Sequence, residues 1–482
     1  LCDVDDVTKK AADAARKSSS ETIAASAAIN AAKMAAEKRA TAALVALRDV
    51  AFQRSNPETR QAAVVCAVSV ATGDIPASAS IEDKALKLVM NVFFPKSDIH
   101  SAMVVEAATS SLVRASQYAI DNYDKIEEAN KEAAKSANES HYGPVSSNEE
   151  KAAMEKVKKP ALLFMALCVR RPEMIKQLME QSCREHANVL SKAVRENMPK
   201  LARAVATKHG DAAIALQVAD MAGDKEVPML LAFLDNLAPT GERSMPSDEL
   251  IEACSKIQQS KLNAEGKTDP RFLIPVVTGV KRPELVKTLP AFVMAEDRIF
   301  MASLVHMGSR LQRHALIFRD EPDPESPMLT GMTLCESFVF LHKMDFAALS
   351  IPQKRYLDVV RLCLEDDDVF TDTVVREALD YISGTFLEDE EATLPLAYMR
   401  TIILTCSKHE SLHNWICHIL LPRLIEGKVY TDRRQWEGWM RCARMLETAG
   451  VDGVQEAIHK LPAEQLEMYR AKYPQGGMKT EN

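Results

Sequence analysis

Five residues that can bind a metal ion or act in catalysis lie within one short stretch of the chain, CSKHESLHNWICH. They are Cys406, His409, His413, Cys417 and His418. In one continuous helix Cys406 and Cys417 would lie about 16 Å apart, whereas zinc needs each ligand within roughly 2.3 Å. Only His409 and His413 could then share a metal, and a helix break at SKHES would separate them too. A nucleophilic Cys–His pair would also need an oxyanion site, which no pattern marks. We expect buried cysteines and surface histidines, with no metal site and no cofactor.

A second stretch, YTDRRQWEGWMRC, combines two of the three tryptophans with a pair of arginines. Asp432 can cap a helix with Gln435 at its third position. The apolar residues of this helix then fall on one side, namely Trp436, Trp439, Met440, Ala443 and Leu446. Aromatic residues at helical spacing usually face the core, which is the favoured interpretation. Tryptophan and arginine are also enriched at interface hot spots, so the candidates for binding a partner protein are Arg433, Arg434, Trp436 and Trp439. The two interpretations are compatible.

Sequence patterns for phosphate binding or covalent catalysis are absent: the chain contains no G-x-x-x-x-G-K-[ST], no G-x-G-x-x-G and no G-x-S-x-G. Nucleic-acid binding is disfavoured, because the formal net charge of −8 repels phosphates and only 5% of the residues are aromatic. We therefore expect a noncatalytic protein whose contact with RNA is at most indirect. Two alternatives stay open: a helical-repeat protein that binds RNA, and a metal-dependent enzyme that uses His409 and His413.

The composition favours helices and a reducing compartment. The 482 residues include only 16 glycines, about half of the ~7% found in average proteins. The ten cysteines form no C-x-x-C pair, which argues against a disulfide framework. No apolar run approaches the ~18 residues that a bilayer crossing needs, so we expect no membrane partner. Because the sequence does not begin with Met, we expect a fragment of a longer protein.

Apolar segments with helical spacing recur in pairs joined by proline-marked turns. Asn56-Pro57 precedes one segment, Pro160 marks the start of another, and Pro270 and Arg282-Pro283 delimit a third pair. Apolar series with helical spacing are Ala62, Val65, Cys66, Ser69 and Val70 in the first segment and Leu285, Leu289, Phe292 and Val293 in the third pair. The predicted buried series of a later pair is Val375, Ala378, Leu379 and Ile382. Helix pairs that cannot bury their apolar side alone must stack. We predict an all-α fold, an α-solenoid of HEAT/ARM-like helical hairpins.

Two polar stretches suggest domain limits. Residues 127–150 lack large apolar side chains except Val145 and contain Gly143-Pro144, and RDEPDPESPM holds three prolines and four acidic residues. We predict an Ala-rich N-terminal helical segment at 1–130, a linker at 131–150, middle helical repeats at 151–318, an acidic Pro-rich loop at 319–328, a C-terminal helical domain at 329–473 and a disordered tail at 474–482.

Several stretches, in this order, resemble one protein family. They are DPRFLIPVVTGVKRPELVKTLPAFV, LPLAYMRTIILTC, RRQWEGWMRCARMLE and VQEAIHKLPAEQLEMYRAKYP. They are similar to the C-terminal region of the symplekin family, scaffolds of eukaryotic mRNA 3′-end processing. The resemblance extends from about Lys151 to Pro474 and makes 329–473 a symplekin-like C-terminal helical domain. The chain departs from the family at SKHES and at Pro422, which predicts a kink in its helix.

The resemblance implies a noncatalytic scaffold in the nucleus. Symplekin-like proteins hold the endonuclease of the cleavage and polyadenylation specificity factor together with its inactive homologue, and bridge them to the cleavage stimulation factor. They also serve histone pre-mRNA 3′-end processing. A phosphatase of the RNA polymerase II C-terminal domain is a further candidate partner that the resemblance implies. In the family it binds an N-terminal HEAT domain, and we do not expect that domain in this sequence. The family supplies no catalytic residues to carry over.

Overall fold

The chain is described here by a computed structural model. The structure describes residues 22–53, 56–96, 98–137, 146–238, 245–262, 266, 268–311, 332–388 and 393–473. The predicted acidic loop at 319–328 and the predicted tail at 474–482 lie outside these ranges. Within them the chain is helical, and the only extended pairing is one isolated bridge between Leu262 and Thr268. None of the helices in the described ranges has the length and apolar character needed to cross a membrane.

The chain divides into two compact units, residues 1–237 and 238–482. In the first unit α3 continues through a π-helical turn at Val89–Phe93 into Phe94–Lys96, and a 3-10 turn at Pro172–Met174 precedes α7. The α-helices described in this unit are α1 Thr22–Phe52, α2 Pro57–Ala71, α3 Ala79–Leu88, α4 Asp98–Asp121, α5 Tyr123–Ala137, α6 Asn148–Arg170, α7 Ile175–Ser182, α8 Asn188–His209, α9 Asp211–Met221 and α10 Val227–Leu237.

Packing in the first unit follows chain order. Helix α2 packs on α4, α4 on α6, α6 on α8 and α8 on α10, while α3 and α9 pack on the helices next to them. Each helix thus meets only near neighbours in the sequence, which is the arrangement of helical repeats. The predicted linker at 131–150 lies inside this unit, where α5 and α6 pack against each other.

Two local features of the first unit differ from the sequence prediction. Pro160 does not start a helix but lies in the interior of α6. The interior position leaves the carbonyl of Lys156 without its usual amide donor, and Lys156 is exposed, so water can replace the missing bond. In α2 the helical spacing is confirmed, but the apolar series does not mark the buried side: Val65 is 40% exposed, whereas Val64 and Val68 are buried.

The second unit contains the C-terminal helices. A 3-10 helix at Pro270–Val276, capped by the Asp269 side chain, follows α11, and a π-helical turn at Ile416–Leu420 directly precedes α18. The α-helices described in this unit, apart from the short turn His413–Trp415, are α11 Asp248–Ser260, α12 Arg282–Met294, α13 Asp297–Leu311, α14 Leu334–Lys343, α15 Gln353–Glu365, α16 Asp372–Glu388, α17 Tyr398–Lys408, α18 Leu421–Glu426, α19 Arg433–Thr448, α20 Val454–His459 and α21 Ala463–Lys472.

Two rows of helices form the second unit. One row runs α12, α15, α17, α19, and the other runs α14, α16, α18, each helix packing on the next in its row. The predicted buried series is confirmed in α16, where Val375 and Leu379 are 0% exposed, and the apolar series of α12 is buried as well, with Leu285 and Leu289 each 1% exposed. Pro422 lies in the first turn of α18, immediately after the π-helical turn, so the helix is irregular where a kink was predicted. The all-α, helical-repeat fold is confirmed within each unit.

Candidate protein-docking surface

Helix α19 carries the tryptophan–arginine stretch, and its start is fixed by two sets of hydrogen bonds. The carboxylate of Asp432 accepts bonds from the backbone N–H groups of Arg434, at 2.7 Å, and Gln435, at 3.2 Å. This is the predicted N-cap. The Gln435 amide does not return to the cap; it donates to the carbonyls of Leu394, at 3.3 Å, and Pro395, at 3.1 Å. The first turn of α19 is thereby held against the turn before α17.

Both tryptophans of α19 lie in the core. Trp436 is 4% exposed and Trp439 is 0% exposed, and their rings stack at a centroid distance of 5.3 Å and an interplanar angle of 22°. The indole N–H of Trp439 donates to the carbonyl of Leu421 at 3.2 Å, which ties α19 to α18. The indole N–H of Trp436 is buried and has no hydrogen-bond partner within the described ranges. The tryptophans therefore stabilise the fold and offer no open ring face to a partner.

The two predicted arginines lie on the opposite, exposed side of α19. The Arg433 side chain is 92% exposed, and its Nε is 3.6 Å from the Glu437 carboxylate. Arg434 is exposed and pairs with no acidic side chain of the described residues. The structure thus separates the four predicted residues into two that build the core and two that a docking protein can reach.

Helix α17 lies close beside this exposed side. A Cβ placed on Gly438 of α19 would be 2.5 Å from the Cβ of Met399 in α17, closer than real Cβ atoms approach. Farther along both helices, the Ser407 hydroxyl is 3.9 Å from the sulfur of Met445. Because the later residue of one helix meets the later residue of the other, α17 and α19 run parallel. The lack of a side chain at Gly438 permits this close contact.

Two further arginines extend the exposed surface across this contact. Arg400 follows Met399 in α17, and Arg441 follows Arg434 by two helical turns in α19; both are exposed. Neither pairs with an acidic side chain in the part of the chain that the structure describes. We call Arg400, Arg434 and Arg441 the arginine face. Sequence reasoning missed Arg441, although its seven-residue spacing from Arg434 on the polar side of a helix was a usable signal.

The cysteines and histidines of the 406–418 stretch have separate partners. The Cys406 sulfur is 3.7 Å from that of Cys442, and the His413 Nε2–H donates to the Cys406 carbonyl at 2.7 Å. His409, 4% exposed, places Nδ1 2.6 Å from Asp372 Oδ1. Among the residues that the structure describes, no group of three or more His, Cys, Asp or Glu side chains is placed to hold a metal ion.

The segment HESLH, His409 to His413, also fits the H-E-x-x-H pattern of zinc metalloproteases, in which both histidines lie on one face of a helix. Here α17 ends at Lys408 and Glu410–Leu412 forms a 3-10 turn. His409 points to Asp372 and His413 to a carbonyl of α17, so they do not converge. The residues therefore do not fit the zinc site that the pattern describes.

Burial and hydrogen bonds shift the pKa values of several groups near this surface. It raises the pKa of Cys417 to about 12, so this thiol stays protonated at neutral pH. Hydrogen bonds from Ser411 and then from His409 lower the pKa of Asp372. Burial lowers the pKa of His342 to about 4; this histidine bridges α14 and α17 through a 2.8 Å bond between its Nε2 and the Thr401 hydroxyl. These groups serve packing between the rows.

The fold and surface define an all-α helical-repeat protein with an exposed cationic face suited to binding another macromolecule. Residues 269–473 match the family model described as Symplekin tight junction protein C terminal. This part of the chain, from the 3-10 helix before α12 to the end of α21, is thus similar to the symplekin C-terminal region. The match confirms the resemblance over residues 269–473.

One solved structure, a crystal structure of an engineered protein, is 13% identical and covers 97% of this chain and 99% of that chain. Its TM-score of 0.23 is too low for this likeness to support any argument.

Proposed function

We propose that the chain is a noncatalytic scaffold of the nuclear machinery that cleaves and polyadenylates pre-mRNA and processes histone pre-mRNA 3′ ends. It would hold the endonuclease of the cleavage and polyadenylation specificity factor together with its inactive homologue, and bridge them to the cleavage stimulation factor. The single observation that carries this proposal is the match of residues 269–473 to the symplekin C-terminal family.

The geometry supports a scaffold in two ways. Each helix of a repeat contacts only its neighbours, so a row of helices leaves outer surfaces free along its length for several partners. In the row α15, α17, α19, the exposed Arg434 and Arg441 belong to α19, whose apolar side, including Trp436 and Trp439, is buried in the core. Charged groups on a rigid helix favour specific docking of a complementary partner.

The direct test is complex formation between purified proteins. The 482-residue chain is mixed with the C-terminal regions of the endonuclease and its inactive homologue, and the products are separated by size-exclusion chromatography. We expect a stoichiometric complex that Arg434→Ala weakens. Arg203→Ala in α8, which removes the same charge from an exposed position of the first unit, is the matched control. Absence of a complex at micromolar concentrations of all components would refute the scaffold function.

The alternative, an RNA-binding helical-repeat protein, gains some support from the arginine face. It predicts a steep salt dependence, because a protein that neutralises Z phosphates of single-stranded RNA loses affinity with a log–log slope of about −0.7Z. A titration with single-stranded RNA at several KCl concentrations separates the two functions. A scaffold gives weak binding with almost no slope, whereas a slope that disappears in the Arg400, Arg434 and Arg441 alanine variants would favour the alternative.

A further inference from the structure

We propose that the arginine face docks an acidic, extended segment of a partner protein, with carboxylates about three residues apart. This inference rests on the proposed scaffold function and names the chemistry of one partner. Its basis is the position of Arg400, Arg434 and Arg441 around the contact between Gly438 and Met399.

The arginine face is a local excess of positive charge on an acidic chain of net charge −8. Several arginines of the described residues are neutralised within the fold, as Arg114 is by Asp74 at 2.7 Å and Arg423 by Asp380 at 2.7 Å. The three arginines of the face have no such partner among the described residues. Their guanidinium groups are available for bidentate hydrogen bonds to carboxylates from outside.

Spacing defines the conformation of the docked segment. Arg434 and Arg441 are seven residues apart on one side of α19, which corresponds to about 10 Å along the helix axis. An extended peptide in the polyproline II conformation has three residues per turn and a rise of about 3.1 Å per residue, so its side chains at every third position lie on one side, about 9 Å apart. Arg400 follows Met399, whose side chain meets Gly438, on the neighbouring parallel helix, so it adds a third cationic group beside the row formed by Arg434 and Arg441.

The surroundings of the face favour a protein segment over RNA. Single-stranded RNA is held by stacking its bases on aromatic rings, but Trp436 and Trp439 are buried. Two partly exposed rings flank α19: Tyr430 packs edge-on against Trp436 at a centroid distance of 6.5 Å, and Tyr473 has the cationic groups of Arg444 and Lys472 each 6.0 Å from its centroid. Both rings already contact side chains of the fold and neither belongs to the arginine face, which favours carboxylates over stacked bases.

An apolar depression next to Arg441 can receive an apolar side chain of the same segment. Its lining includes Met445, Ala449 and Tyr473 together with Arg441. Interfaces commonly join such an apolar contact with a charged rim. The segment that fits best therefore carries an aliphatic residue between carboxylates that are three residues apart.

The test measures fluorescence anisotropy of the full chain with a fluorescein-labelled model peptide in which glutamate recurs at every third position between leucine and serine. A second peptide has glutamine in place of each glutamate, and an oligouridylate of equal charge is the third probe. We expect the glutamate peptide to bind and the glutamine peptide to bind at least ten-fold more weakly. We expect Arg434→Ala and Arg441→Ala each to raise Kd roughly two- to five-fold, the range of single exposed ion pairs.

Combined replacement of Arg400, Arg434 and Arg441 by alanine should lower binding of the glutamate peptide to the level of the glutamine peptide, while Arg203→Ala changes nothing. Circular dichroism confirms that the variants are folded. The inference is wrong if Arg203→Ala weakens binding as much as Arg441→Ala does, or if oligouridylate binds more tightly than the glutamate peptide.

The two proposals fail in different ways. If the endonuclease subunits bind but the glutamate peptide does not, the acidic docking segment is refuted and the scaffold function stands. If the peptide binds the arginine face but the subunits do not bind, the scaffold function is refuted and the docking chemistry stands.

Discussion

Replacing Gly438 by alanine tests the close contact between α17 and α19 on which the arginine face depends. Gly438 lies in the interior of α19, where alanine normally stabilises a helix by about 1 kcal/mol relative to glycine. The new Cβ, however, would be 2.5 Å from the Cβ of Met399. The gain in helix propensity and the cost of the steric overlap therefore oppose each other at Gly438. Their difference decides whether the free energy of unfolding rises or falls.

The steric effect should be the larger one. A carbon–carbon contact is favourable at about 3.5–4.0 Å, so the two Cβ atoms must separate by roughly 1 Å. The Met399 Cβ is bonded directly to the backbone of α17 and cannot rotate away, so the helices themselves must move apart. Overpacking of this kind costs about 1–3 kcal/mol. After the gain of about 1 kcal/mol in helix propensity is subtracted, we expect Gly438→Ala to lower the free energy of unfolding by up to about 2 kcal/mol.

Gly384→Ala in α16 is the matched control. A Cβ on Gly384 would meet no atom within 4 Å, so only the helix propensity changes, and the variant should gain about 0.5–1 kcal/mol. All three tryptophans, at positions 415, 436 and 439, belong to the second unit. Intrinsic fluorescence during urea unfolding therefore reports this unit alone. If both variants shift the urea midpoint upward, the close approach of the two helices is wrong.

Three further predictions follow from α19 and from the histidine beneath the surface. Trp436→Ala should lower the free energy of unfolding by about 3–5 kcal/mol, as large-to-small core changes do, while Arg434→Ala leaves the melting temperature unchanged; equal melting of the tryptophan variant and the wild type would contradict its core position. Asp432→Ala should cost about 1 kcal/mol in urea unfolding through loss of the N-cap, and no change would mean that the Gln435 bonds alone hold the helix start. Burial lowers the pKa of His342 from 6.5 to about 4, so the unfolded chain takes up this proton first as the pH falls. The contribution of His342 to stability is therefore complete above pH 6.5 and decreases by up to about 3 kcal/mol between pH 6.5 and 4. His342→Gln should make the urea midpoint depend less on pH between pH 6.5 and 4. If the pH dependence is unchanged, groups other than His342 cause it.

The sequence predicts a buried side correctly where charged residues mark the exposed one. In α16 the charged Arg376 and Glu377 separate Val375 from Ala378 and Leu379, so only one side can face the core, and the structure agrees. Helix α2 reads PETRQAAVVCAVSVA, in which small and apolar residues occupy every side after the first turn. Its buried side is therefore set by the neighbouring helices α1 and α4, which no local pattern contains.

The docking surface could be predicted only in part for the same reason. Arg433 and Arg434 are adjacent to the tryptophans in the sequence, so their place on the polar side of α19 follows from helical spacing. Arg400 joins them because Gly438 allows α17 to lie against α19. That contact joins two helices that are distant in the sequence. A glycine at position 438 does not indicate which helix will pack against it, so the contact could not be predicted.

The core position of the tryptophans changes how loss of partner binding must be interpreted. Trp436 and Trp439 stack on each other, and Trp439 donates to Leu421 of α18, so a substitution at either residue disturbs the helix that carries Arg434 and Arg441. Loss of binding in a tryptophan variant would therefore accompany loss of stability even if the ring never touches the partner. An arginine variant that keeps its melting temperature but loses the partner isolates the surface itself. Comparing the loss of partner binding with the loss of stability in each variant therefore distinguishes two cases. In one, the arginines form a docking face on a rigid core; in the other, the tryptophans themselves form the docking site.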